Sequence, residues 1–107
     1  MEWQTQMEHE FNRAEKARAE KNEGQARVCA RRAAGIAIRE YLTRKGIHHP
    51  STSAYDLLNL IKDDPLLSID MRLIAEHLTL RVTEEFKLPV DADLVAEARK
   101  LCDELLK

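Results

Sequence analysis

The chain has little from which to build a sheet. Its aromatic residues are one Trp, two Tyr and two Phe, and Val, Ile and Thr are sparse beside Ala, Leu, Glu, Lys and Arg. β-branched and aromatic side chains are what a pleated, half-buried surface selects, whereas alanine and straight-chain residues lose little freedom in a helix. Glycine is also scarce: the three residues at 24, 35 and 46 form no strand-to-helix cluster that cradles a phosphate, which disfavours nucleotide binding by a Walker or dinucleotide loop. No stretch approaches the length of a membrane span. The N-terminal MEWQTQMEHEF has acidic residues where a secretory signal needs positive charge, and it lacks an apolar centre. A cytoplasmic protein with no membrane partner is the expectation.

The other chemistry-bearing residues are equally few. The two cysteines, Cys29 and Cys102, fall in apolar stripes, the usual place of small buried hydrophobes in a reducing compartment. Neither has a neighbouring His or helix N-terminus to activate its thiolate, and no serine sits in a nucleophile elbow. His48 and His49 are adjacent, but no Cys, Asp or Glu stands at a matching spacing to complete a zinc site. They read as solvated loop histidines ahead of Pro50, and no metal or cofactor is expected.

What is present points to helices. With 107 residues, 44% hydrophobic and 34% charged, the chain fits one folded domain over 1–107 with heavily charged exposed faces. Residues 1–46 hold ten Lys/Arg against seven Asp/Glu, and residues 47–107 hold seven against twelve, so the halves carry about +3 and -5. That asymmetry fits attraction of a phosphate backbone to the first half, and fits equally a solvated surface that pairs with the acidic half.

Along the chain, Trp3, Met7, Phe11 and Ala14 form one stripe of a first helix, and Gly24 marks its end as a left-handed cap or a kink. From about 25 to 45 a second helix is apolar at Val28, Cys29, Ala33, Ile36, Ala37 and Leu42, with Arg27, Arg31, Arg39 and Glu40 on its wet side and Gly46 as C-cap. Its Ala33, Ala34, Gly35 and Ala37 allow close approach of another helix. GIHHPSTS is a loop, after which Ser53 and Asp56 resemble a capping box ahead of Leu57, Leu58, Leu60 and Ile61, and Asp63-Asp64-Pro65 closes that helix. Ser68 or Asp70 caps a fourth helix from about 69 to 86. Met71, Ile74, Ala75, Leu78, Val82 and Phe86 make its main stripe, and Leu73, His77 and Leu80 make a second, which anticipates contacts on two sides. After Pro89, Asp91 or Asp93 caps a last helix with Leu94, Ala98, Leu101 and Leu105 on its core face. The expected fold is all-α, a single up-and-down bundle of four to five helices.

The remaining candidate site is Arg72-Leu73-Ile74-Ala75-Glu76-His77, an arginine followed after four residues by a histidine. Five helical steps rotate a side chain by about 140° and advance it about 7.5 Å, so the pair does not share one face of a regular helix. A second copy across a two-fold axis brings both residue types to one cleft. Arg72 paired with Glu76 at i,i+4 and His77 covered by a neighbouring helix is the plain structural alternative.

On this spacing the sequence resembles the HEPN family, all-α proteins with an arginine, four to six residues, then a histidine on a late helix. ARRAAGIAIREYL at 30–42 and LPVDADLVAEARKLCDELL at 88–106 are similar to stretches of small prokaryotic members, so the resemblance covers about residues 10–106. It implies a HEPN-like homodimer in which Arg72 and His77 of both protomers line a groove. In active members that groove performs metal-independent RNA cleavage, with His77 as acid/base and Arg72 as phosphate clamp. Many catalytic members have a polar residue directly after the arginine; here it is Leu73. Other members act as binding or toxin–antitoxin partners of minimal nucleotidyltransferases. For either role Arg27, Arg31, Arg32 and Arg39 are the candidate RNA- or partner-binding surface.

Overall fold

The computed structural model describes residues 2–80 and 92–107, and those residues form five α-helices and no strand. The helices are α1 (Trp3–Ala19), α2 (Glu23–Arg44), α3 (Ala54–Ile61), α4 (Ile69–Thr79) and α5 (Leu94–Leu105). The all-α bundle expected from composition and periodicity is the fold observed. α2 is the central element, packed against α1, α3 and α5, while α4 closes the remaining side against α3 and α5. No helix among the described residues is long and apolar enough to cross a membrane.

α1 buries Phe11, Ala14 and Ala17, whereas Trp3 and Met7 at the start of its stripe are only partly covered. It ends in a Schellman motif: Lys21 N–H donates to Arg18 O and Asn22 N–H to Ala17 O. The left-handed residue of that motif is Lys21, with φ 61°, and not Gly24 as the glycine position suggests. Asn22 then accepts a bond from Gln25 N–H and starts α2 at Glu23, which leaves Gly24 inside its first turn. Neither the left-handed cap nor the kink expected at Gly24 is therefore where the chain turns.

α2 is lined by buried small residues, Ala26, Cys29, Ala30, Ala33, Ala34, Gly35 and Ala37, because three helices approach it from different sides. Gly35 marks a close approach. A Cβ built there meets the Ala54 Cβ at 2.8 Å and its Cα at 3.0 Å, so the start of α3 fits against α2 only because this side chain is absent. At the other end, Gly46 takes φ 73° and completes a second Schellman motif, with Gly46 N–H to Thr43 O and Ile47 N–H to Leu42 O.

Ser53 caps α3 and accepts from Asp56 N–H. The reciprocal half of the expected capping box is absent: the Asp56 carboxylate accepts from Ser51 Oγ, and Ser53 N–H donates to that same hydroxyl. Ser68 caps α4 and Asp93 caps α5. α4 buries Met71, Ile74, Ala75 and Leu78 as its stripe predicts, but it stops at Thr79 instead of near 86, and Leu80 is already extended. Val82 and Phe86 of the expected stripe, with Pro89 and Asp91, lie outside the described residues.

The buried residues of all five helices form one hydrophobic cluster, with Phe11, Ile38, Leu57, Leu58, Ile61, Leu78, Leu94 and Leu101 among its largest side chains. Cys29 and Cys102 are both free thiols inside it. Burial pushes the Cys102 thiol up to about 12, so it behaves as an inert core residue.

Candidate functional site

α4 carries the arginine and histidine of the sequence motif on opposite flanks of its exposed side. Ile69, Arg72, Leu73 and Glu76 recur at the spacing of one helical face, and together with Lys62 and Asp63 at the end of α3 they line an open groove of about 460 Å³. Arg72 is half-buried on the α3 flank. Its Nε is buried and has no hydrogen-bond partner, and Arg72 and Glu76 form no ion pair among the described residues.

His77 faces the other way, toward α5. Its Nδ1 lies 2.7 Å from Glu97 Oε1, and the two side chains are 20% and 22% exposed. A carboxylate at that distance fixes the hydrogen on Nδ1 and leaves Nε2 as the ring nitrogen able to accept or return a proton. Within one chain the structure therefore does not bring Arg72 and His77 together. It places them about 140° apart around the helix, as the spacing requires, and gives each its own surroundings.

The expected second stripe of Leu73, His77 and Leu80 is not one surface. Leu73 is 46% exposed on the α3 side, His77 pairs with α5, and Leu80 leaves the helix to line a pocket with Arg27, Val28 and Arg31 of α2. Ile69 and Leu73 instead line the groove beside Arg72, and Leu66 and Ile69 are the most exposed large apolar side chains among the described residues, at 76% and 75%.

The four arginines expected to form a binding surface also separate. Arg31 is not on the wet side of α2: its Nε donates to Leu78 O at 2.7 Å and its Nη2 to Leu80 O at 2.9 Å, which caps the C-terminus of α4. Burial draws its pKa below the ordinary arginine value, and the nearby charge of Arg27 adds to that. Arg27 is half-buried beside it in the same pocket. Only Arg32 and Arg39 remain exposed, on a different side of α2, where both line a cleft with α1.

Glu97 is the site residue that sequence reasoning missed. Its signal was present, since it sits on α5 between Leu94 and Ala98 of the core stripe, close to the edge that faces α4. Among the described residues no group of three or more His, Cys, Asp or Glu side chains is placed to hold a metal ion. No protein-family model, curated protein or solved structure matches this chain.

Proposed function

We propose that this chain is a HEPN-like helical module that acts on RNA as a homodimer, with the exposed side of α4 as the contact between copies. The observation that carries this reading is the state of that side. Ile69 and Leu73, 75% and 46% exposed, line one open groove with Arg72 and Glu76, so the face has apolar area to cover beside an arginine. A two-fold contact there sets Arg72 and His77 of both copies at the rim of one interface.

The chemistry follows from the side chains. His77, oriented by Glu97, takes the proton of a ribose 2′-hydroxyl or returns one to the leaving 5′-oxygen through Nε2. Arg72 stabilises charge on the phosphoryl oxygens. Two free thiols suit a reducing cytoplasm. One observation favours a second reading, a non-catalytic partner of a minimal nucleotidyltransferase in a toxin–antitoxin pair: the residue after Arg72 is the exposed, apolar Leu73, suited to protein contact.

Purified protein incubated with cellular RNA in excess EDTA, beside a His77→Ala variant, separates the two. Cleavage by the parent alone supports the nuclease; no cleavage, or equal cleavage by both proteins, removes it and leaves the partner role.

A further inference from the structure

Away from α4, helices α1 and α2 and the start of α3 enclose an open cleft of about 530 Å³, a volume typical of small-molecule sites. His9, Glu10 and Arg13 come from α1 and Arg32 and Arg39 from α2, each set at the spacing of one helical face, and Ala54 of α3 closes one end. The close packing at Gly35 fixes that end against α2.

Glu10 organises the charges. It is the one charged residue among those described that is buried, 8% exposed. Its Oε1 accepts from Arg13 Nη1 at 2.9 Å, and its Oε2, buried without a hydrogen bond, lies 4.0 Å from Arg32 Nη1. One carboxylate thus gathers guanidinium groups from two helices. Arg39 is exposed and has no ion-pair partner among the described residues. Three arginines against one glutamate leave the cleft with two net positive charges.

We propose that this cleft binds a small phosphorylated ligand, with Arg32 and Arg39 contacting the phosphate and Glu10 holding Arg13 and Arg32 at its edge. Charge decides the ligand class. A phosphate monoester carries about 1.5 to 2 negative charges at neutral pH and three acceptor oxygens, which matches the cleft, whereas a backbone phosphodiester carries one charge. Arginine forks bind such oxygens through paired hydrogen bonds. No residue of α4 lines the cleft, so the proposal stands apart from the RNA reading.

Calorimetric titration with inorganic phosphate, ribose 5-phosphate and an oligoribonucleotide bearing a 5′-hydroxyl tests it. Ribose 5-phosphate is expected to bind, about tenfold more weakly to Arg39→Gln and not measurably to the Arg32→Gln/Arg39→Gln double variant. Lys100→Gln, an exposed change on α5, should leave the affinity intact. Arg39 is exposed and without an ion pair among the described residues, so Arg39→Gln should keep the parent melting temperature. Arg32→Gln removes a counter-charge of the buried Glu10, so the fold of the double variant is checked first by circular dichroism. The proposal is overturned by absence of binding of both phosphate probes at millimolar concentration. Unchanged affinity in the double variant, or binding of the oligoribonucleotide alone, overturns it equally.

Discussion

Arg31 donates its Nε–H to the Leu78 carbonyl at 2.7 Å, and through this contact a residue of α2 caps the end of α4. Its Nη2 reaches the Leu80 carbonyl as well, at 2.9 Å, so one guanidinium satisfies two of the carbonyls that the last turn leaves open. The fork requires both carbonyls to face α2, and Leu80 meets that requirement only by leaving the helix for extended backbone.

Replacing Arg31 by methionine keeps most of the packed stem and removes both bonds. Charge-assisted hydrogen bonds contribute about 1.5–3 kcal/mol each before any relaxation, and the loss should sit in the lower part of that range once water reaches the freed carbonyls. Urea unfolding should show a drop of about 2 kcal/mol. Arg31→Lys should recover less than half of it, because a single ammonium does not reproduce the fork. An unchanged midpoint in the methionine variant would show that Arg31 is an ordinary surface residue.

This contact also marks the boundary of what the sequence discloses. Features decided within one turn of chain were legible: Ser53 as a cap, Ser68 and Asp93 each as one of two expected caps, Gly46 as a C-cap, and the core faces of α5 and of α4 as far as Leu78. The end of α4 was not, since the side chain that caps it lies 47 residues away. The 140° separation of Arg72 and His77 followed from helical geometry alone, whereas the pairing of His77 with Glu97 depends on how α4 and α5 pack. Periodicity likewise marked polar positions on α1 without showing that Glu10 is buried against two arginines.

The two glycines inside α2 should respond to alanine with opposite signs. At Gly24 the nearest atom to an added Cβ is Asn22 Oδ1 at 3.9 Å, so Gly24→Ala fits and should stabilise by about 0.4–1 kcal/mol. At Gly35 the added Cβ meets the Ala54 backbone, and overpacking of about 1–3 kcal/mol outweighs a propensity gain of about 1 kcal/mol. Gly35→Ala should therefore lower the melting temperature while Gly24→Ala raises it. Lys21→Gly, at the positive φ, should join the stabilising group.

Acid should weaken the junction of α1, α2 and α5. Arg18 bonds Glu23 through Nε and Nη2 and reaches Asp93, the N-cap of α5, at 2.9 Å. Hydrogen bonding from Arg18 is the main cause that holds both carboxyls below their usual range. Because their folded pKa values lie below the unfolded ones, the stabilisation is complete above the ordinary carboxylate range and is lost as pH falls through the depressed values. The side chains are 36–53% exposed, so solvent screening limits the effect to about 1 kcal/mol. Urea midpoints should be level from neutral pH to about 5 and fall below about 4, with a shallower fall in Arg18→Met.

The apolar side of α4 gives the sharpest test of the proposed assembly. Ile69 and Leu73 make little contact within the chain, being 75% and 46% exposed, so Ile69→Asp with Leu73→Asp should alter monomer stability by no more than about 1 kcal/mol. The same changes place two charges where a second copy must bury apolar surface, and a desolvated, unpaired carboxylate there costs several kcal/mol. Light scattering at micromolar concentration should thus report a dimer for the parent and a monomer for the double variant, with matching circular dichroism. A monomeric parent would remove the proposed shared cleft, and with it the proposed means for Arg72 and His77, set apart on one helix, to act on the same phosphodiester.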